Sequence, residues 1–143
     1  MWRALEIAQA ADFVREEGGL DTIVEQDGSN FSGGQRQRLA IARTIIKPAS
    51  VYIFDDSFSV LDFKTDAKLR QALRRDPQIQ RAVSVIVAQR ISTVADADLI
   101  LVVDDGKVVG QGSHEELKAT NKTYQEILHS QIQEGDEERA QRK

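Results

Sequence analysis

Ser32-Gly33-Gly34-Gln35 stands where a helical pattern begins. Paired glycines let backbone N–H groups come close to an anion, and a helix start adds unsatisfied N–H donors and partial positive charge. Ser32 can cap such a helix and also donate to a phosphate oxygen. The same four residues equally describe an ordinary turn with an N-cap. Asp55-Asp56 follow the apolar run Val51 to Phe54. A carboxylate at a strand end can hold Mg²⁺ through its water shell, and its neighbour can orient or polarise an attacking water. The plain alternative is a solvated acidic pair. Ser57-Phe58-Ser59-Val60-Leu61-Asp62 come next, and Asp62 also suits a helix cap. Gln89 falls at the end of a second apolar run, Val85-Ile86-Val87-Ala88. Its amide can bond a phosphate oxygen or simply end the strand.

These residues need elements to position them, and the pattern supplies candidates. Apolar spacing predicts a helix from Ala4 to Glu17, stopped by Gly18-Gly19. Leu20 to Asn30 reads as loop. A helix from Gly34 to Lys47, with Leu39, Ala42, Ile45 and Ile46 on one face, ends at Pro48. Ser50 to Asp55 reads as a strand buried on both faces of a parallel sheet. Asp66 to Arg75 is a helix with Leu69, Ala72 and Leu73 inward. Val83 to Ala88 and Leu99 to Val103 are further buried strands, and Asp104-Asp105-Gly106 turns the chain into a hairpin through Lys107 to Gly110. Ser113 with Glu116 forms a capping box. The last helix runs from Thr123 to Ile132, and the charged tail from residue 133 to 143 is expected to be disordered. Alternating strands and helices give an α/β fold with a mainly parallel core, in which ligands gather at the carboxyl ends of strands.

The 143 residues suit one domain. A net charge of −4 argues against a nucleic-acid binder, which carries a basic excess. The absence of cysteine rules out disulfides and thiolate metal sites, and two histidines far apart argue against a histidine-rich zinc site. No apolar run approaches the roughly 20 residues of a membrane span, and Met1 to Leu5 lacks the pattern of a secretory signal.

Taken in order, Ser32–Arg43 followed by Val51–Asp62 closely resembles the ABC ATPase family. In that family Ser32 to Gln35 match the signature motif, with Phe31 in place of its leucine. Asp55 matches the Walker B aspartate, and Ser59 to Asp62 match the D-loop. Gln89 falls on the switch-histidine position, ahead of Arg90-Ile91-Ser92-Thr93. Asp105 to Val109 and Gly112 to Leu117 look like the end of such domains. The resemblance runs from Ala4 to about Gln131. It implies an incomplete P-loop-NTPase-like domain over residues 1–132, with the signature-bearing helical part in 1–47 and Walker B to the C-terminal helices in 48–132.

No Gly-x-x-x-x-Gly-Lys-[Ser/Thr] occurs in the chain. In the family that loop cradles the phosphates, so the chain reads as a fragment whose missing part would supply further core strands, leaving apolar surface exposed. Two other departures concern hydrolysis. Asp56 stands where the family has a catalytic glutamate, one methylene longer. Gln89 cannot carry positive charge as the switch histidine can. With an intact signature, this combination resembles the degenerate-site subunit of heterodimeric bacterial multidrug-type exporters. Glu25-Gln26-Asp27-Gly28 resembles the exporter loop that meets transmembrane coupling helices. The resemblance therefore implies ATP and Mg²⁺ as cofactors. It implies a second nucleotide-binding domain and transmembrane domains as partners, and a place at the cytoplasmic face of the cell membrane; the chain alone is expected to be cytoplasmic. The competing reading is a non-enzymatic remnant or docking fragment. A DNA-repair-type ABC ATPase is disfavoured because no heptad run interrupts the sequence.

Overall fold

In place of one helix over Ala4 to Glu17 the chain makes two, α1 (Trp2–Ile7) and α2 (Ala11–Glu16). They part at Gln9, whose φ is 57°. Gln9 N–H donates to Glu6 O and Ala10 N–H reaches back to Leu5 O, the paired bonds of a Schellman ending. The break lets Ala8 and Ala10 be fully buried, a packing advantage that periodicity alone does not reveal. A computed structural model describes residues 1–141, with side chains described to Ile132.

The chain divides into two units, Met1–Ala88 and Gln89–Lys143. In the first, α3 (Gly33–Ile45) leads through Pro48 into β1 (Val51–Asp55), then α4 (Phe63–Arg75), α5 (Pro77–Gln80) and β2 (Val83–Val87). β1 and β2 pair in parallel, from Val51 opposite Val83 to Asp55 opposite Val87, as a helical crossover requires. Ile41 and Ile45 of α3 bury in one cluster with Tyr52 and Phe54 of β1 and Leu69 and Leu73 of α4.

The expectation of strands buried on both faces is corrected. Tyr52 and Phe54 are 2% exposed, but the alternate residues Val51 and Ile53 are 51% and 64% exposed. Val83, Val85 and Val87 lie open beside them. Period-two alternation decides which face each residue takes; the helices of this unit cover the Tyr52 face, and β-branched side chains line the uncovered one.

The β1–β2 sheet is parallel, as expected, and the expected C-terminal hairpin forms. In the second unit β3 (Ile100–Asp104) pairs antiparallel with β4 (Lys107–Gly112) as an isolated hairpin. Its turn places Asp105 at φ 46° and Gly106 at φ 71°, as an Asp-Gly hairpin turn demands. Around it lie α6 (Ile91–Val94), α7 (His114–Thr120) and α8 (Lys122–Gln141). The expected capping box forms: Ser113 Oγ accepts from Glu116 N–H and the Glu116 carboxylate accepts from Ser113 N–H. Ile91, Ile100, Val102, Leu117 and Tyr124 make the core. α8 continues to Gln141 rather than ending at Ile132; Glu, Arg, Ala and Gln in this stretch are strong helix formers. The remainder of the expected disordered tail lies outside the described residues.

An ion pair ties α1 to α5. The Arg3 guanidinium donates twice to the buried Asp76 carboxylate and once, at 3.1 Å, to Gln78. Asp76 also caps α5, accepting from Gln78 and Ile79 N–H at 3.0 and 3.2 Å. Burial alone would raise the Asp76 carboxyl, but Arg3 and these N–H groups together hold it below its ordinary value. A carboxyl lowered by folding adds stability above its unfolded value, about 3.9, and loses it as pH falls through the folded one. Urea unfolding between pH 6 and pH 3 should therefore show an acid loss of stability. That loss should be smaller in Arg3→Ala, where the carboxyl is less depressed.

Candidate functional site

Ser32 is the N-cap of α3, with extended backbone at φ −64° and ψ 161°. Its hydroxyl accepts from Gln35 N–H at 3.2 Å, and the Gln35 side-chain oxygen accepts from Ser32 N–H at 2.8 Å. This reciprocal box consumes two of the donors at the helix start. It leaves the N–H groups of Gly33 and Gly34, which have no intrahelical carbonyl to bond. A Cβ added at Gly33 would meet nothing within 4 Å, so this peptide is open to an approaching oxygen. The Ser32 hydroxyl accepts in the box, and its proton remains available to donate. Two amides, one hydroxyl and a helix dipole thus converge on one exposed point, the arrangement that favours an anion.

The Val60–Leu61 loop lies directly against this helix start. A Cβ at Gly34 would come within 3.8 Å of Val60 O and 3.9 Å of a Leu61 methyl. Phe58 and Leu61 are buried and anchor the loop, while Asp62 caps α4 by accepting from Lys64 and Thr65 N–H at 3.1 and 2.9 Å. The Thr65 side-chain hydrogen bond first, then the Thr65 and Lys64 N–H groups, hold the Asp62 carboxyl below its ordinary value. Of the two readings of Asp62, the cap is therefore realised. α4 begins at Phe63, three residues ahead of expectation, because this cap starts it.

Asp55 ends β1 with its side chain in the open. Asp56 follows in the left-handed region at φ 46°, which aspartate tolerates better than most residues. Its N–H donates to Val87 O at 3.0 Å, holding the two strand ends together. Ser59 Oγ lies 3.0 Å from Asp56 Oδ2 and 3.1 Å from Asp56 O, so the short carboxylate is drawn back onto the loop that follows it. Among the described residues no group of three or more His, Cys, Asp or Glu side chains gathers as a metal site. A single strand-end carboxylate still fits Mg²⁺, which is held by one or two carboxylates with waters and substrate phosphates.

Gln89 begins the second unit. Its carbonyl accepts from Gln131 Nε2 at 2.7 Å, and the Gln131 side-chain oxygen accepts from Ile91 N–H at 3.0 Å. Its backbone is thus clamped by α8. Two features escaped the sequence reading. The loop at 20–30 contains a helical turn at Gln26–Gly28 with Asp27 at φ 57°, braced by Ser29 Oγ donating to the Glu25 carboxylate at 2.9 Å and by Asn30 Oδ1 accepting from Glu25 N–H at 3.2 Å. Arg38, one turn beyond Gly34, also went unremarked; its spacing on the helix that Ser32 caps was the available signal.

Known proteins match this arrangement. Residues 2–59 fit the ABC transporter family model. An ABC transporter ATP-binding protein of Mycobacterium tuberculosis is 53% identical over 92% of this chain, which spans 22% of that relative. An ATP-dependent lipid A-core flippase of Vibrio vulnificus is 42% identical over 93% of the chain and 23% of its own length. A β-(1→2)glucan export ATP-binding/permease protein of Rhizobium johnstonii is 44% identical over 90% and 22%. The structure of a bacterial Atm1-family ABC exporter with ATP bound superposes with a TM-score of 0.85 at 36% identity, covering 92% of this chain and 23% of that one. The chain thus spans about a fifth of the length of the relatives it matches. No helix among the described residues is long and apolar enough to cross a membrane. Over nine-tenths of its length the chain is similar to part of these ABC transporter ATP-binding proteins and exporters.

Proposed function

We propose that this chain serves as the ATP-binding segment of an ABC exporter. Its Ser32–Gln35 helix start completes an ATP site held mainly by a second nucleotide-binding domain, and its own site hydrolyses slowly. The observation that carries the first half is the capping box that leaves Gly33 and Gly34 N–H without intrahelical partners at an exposed helix start. In that role the two amides and the Ser32 hydroxyl take up charge developing on a terminal phosphate, a preorganised electrostatic contribution. At this chain's own site ATP would supply the phosphoryl group, and Asp55 would hold an Mg²⁺ that offsets its charge.

The second half rests on Asp56 and Gln89. The Asp56 carboxylate is one methylene short and is drawn onto Ser59, which favours a poor base for an attacking water. Gln89 offers an amide where charge is wanted. The partner in this reading is a second domain with glutamate and histidine at the corresponding positions. The Glu25–Gly28 turn meets the transmembrane domains at the cytoplasmic membrane face. In the assembled transporter, Asp56→Glu with Gln89→His should raise turnover at this chain's own site by about a hundredfold, the low end of a general-base contribution. Turnover that falls instead would remove the degenerate-site assignment.

The chain alone has a second reading, a non-enzymatic docking fragment, favoured by the open Val51–Val87 sheet face. Both readings expect no ATP turnover above background from the purified chain. Measured turnover there would overturn the proposed division of labour.

A further inference from the structure

We infer that Arg38 is a positioning residue that holds the Gly34 peptide, and with it the phosphate-facing helix start, against the Val60–Asp62 loop. The inference rests on the reading of Ser32–Gln35 proposed above, and deepens it.

The Arg38 guanidinium reaches three different parts of the unit. Nη1 donates to Gln9 O, in the break between α1 and α2, at 2.6 Å. Nε donates to Gly34 O, in the first turn of α3, at 3.3 Å. The guanidinium carbon sits 4.8 Å over the Phe13 ring of α2, a stacking geometry that favours a planar cation. Burial lowers the Arg38 guanidinium from its ordinary value, while the charge of Asp62 pulls it back up; the cation therefore senses the end of the D-loop. Gln9 O is turned toward Arg38 by a left-handed backbone, and Phe13 in turn meets Phe31, the residue before Ser32, edge-on at 5.9 Å. The result is a closed ring of contacts, from Phe31 to Phe13 to Arg38 to Gly34, around the capped helix start.

This geometry has a functional consequence. The Gly34 N–H lies in the Gly33–Gly34 peptide and Gly34 O in the next one, so a bond to Gly34 O restrains rotation about Gly34 that would turn the N–H away from a phosphate. A glycine pair has no side chain to fix itself. Arg38 supplies that restraint from one turn below, and the Val60 carbonyl and Leu61 methyl bound it from the other side. A lysine keeps the charge but cannot bond Gln9 O and Gly34 O together while stacking on Phe13.

The test uses the assembled transporter that contains this chain, with ATP as the probe. Arg38→Met should lower kcat per assembled complex about tenfold, on the order expected for a small misplacement of a preorganised group, with KM for ATP within twofold. Arg38→Lys should recover little of the loss. A purely structural role would instead reduce the yield of complex at unchanged kcat, and that result would overturn the inference. Unchanged kcat in Arg38→Met while Ser32→Arg is impaired would likewise sink the Arg38 role alone. Unchanged kcat in both would sink the reading of Ser32–Gln35 itself. If Arg38→Met does not assemble, amide exchange on the purified chain decides. Gly34 to Arg36 and Lys64 to Thr65 should exchange at least fivefold faster with Ile41 and Leu69 unchanged, and uniform acceleration would count against the inference.

Discussion

Ser32→Arg is expected to lower ATP turnover of the assembled transporter by about a hundredfold, the effect of losing one preorganised oxyanion donor. The substitution acts at three points. It removes the hydroxyl that accepts from Gln35 N–H at 3.2 Å, so the capping box opens. It places a long side chain over the Gly33 amide, where a Cβ now meets nothing. It also takes away the Ser32 hydroxyl as a donor at the helix start. Ser32→Ala separates these effects: it loses the hydroxyl and about 1 kcal/mol of capping but leaves both glycine amides open. Its turnover should fall between wild type and Ser32→Arg. Steady-state turnover in membranes, normalised to assembled complex, makes the comparison, and equal rates for all three proteins would remove the helix start from the mechanism.

The second large effect concerns stability. Asp66 is 2% exposed in the middle of the Met1–Ala88 unit, yet it carries a carboxylate. Arg70, one helical turn on, meets it as a fork: Nε donates to Oδ1 at 3.0 Å and Nη2 to Oδ2 at 3.1 Å. Removing the arginine alone leaves an uncompensated charge in a core that includes Leu69 and Phe54, at a cost of about 3–5 kcal/mol. Arg70→Ala should lower the urea midpoint accordingly. The double variant Asp66→Leu with Arg70→Met, which removes both charges, should stand much closer to wild type, because the pair's attraction is largely offset by desolvation. If Arg70→Ala unfolds at the wild-type midpoint, the pair is not what keeps Asp66 buried.

The parts of this molecule written in local sequence were legible. The Ser32 N-cap, the Ser113 capping box, the Asp-Gly hairpin turn and the apolar runs of β1 and β2 each depend on residues within a few positions of one another, and each appears in the structure. What was hidden depends on distant partners. Nothing near Gln9 announces that a single helix would break so that Ala8 and Ala10 can bury and Gln9 O can meet Arg38. Nothing within Val51–Asp55 announces that one face of β1 would stay open, since an apolar run fits a doubly buried strand equally well. The same holds at the site. The motif residues were identifiable by type and order, but the contact between Gly34 and the Val60–Leu61 loop, and the turn of Asp56 onto Ser59, arise from packing across Met1–Ala88.

The central claim is that the Gly33 and Gly34 amides face a terminal phosphate gripped by another polypeptide. A structure of the assembled transporter, trapped with ATP in a hydrolysis-deficient partner, measures this directly. The account predicts Gly33 N–H, Gly34 N–H and Ser32 Oγ at hydrogen-bond distance, about 3 Å, from the γ-phosphate of the partner-held nucleotide. A trapped complex in which the start of α3 points into solvent, with no terminal phosphate within reach, would contradict it.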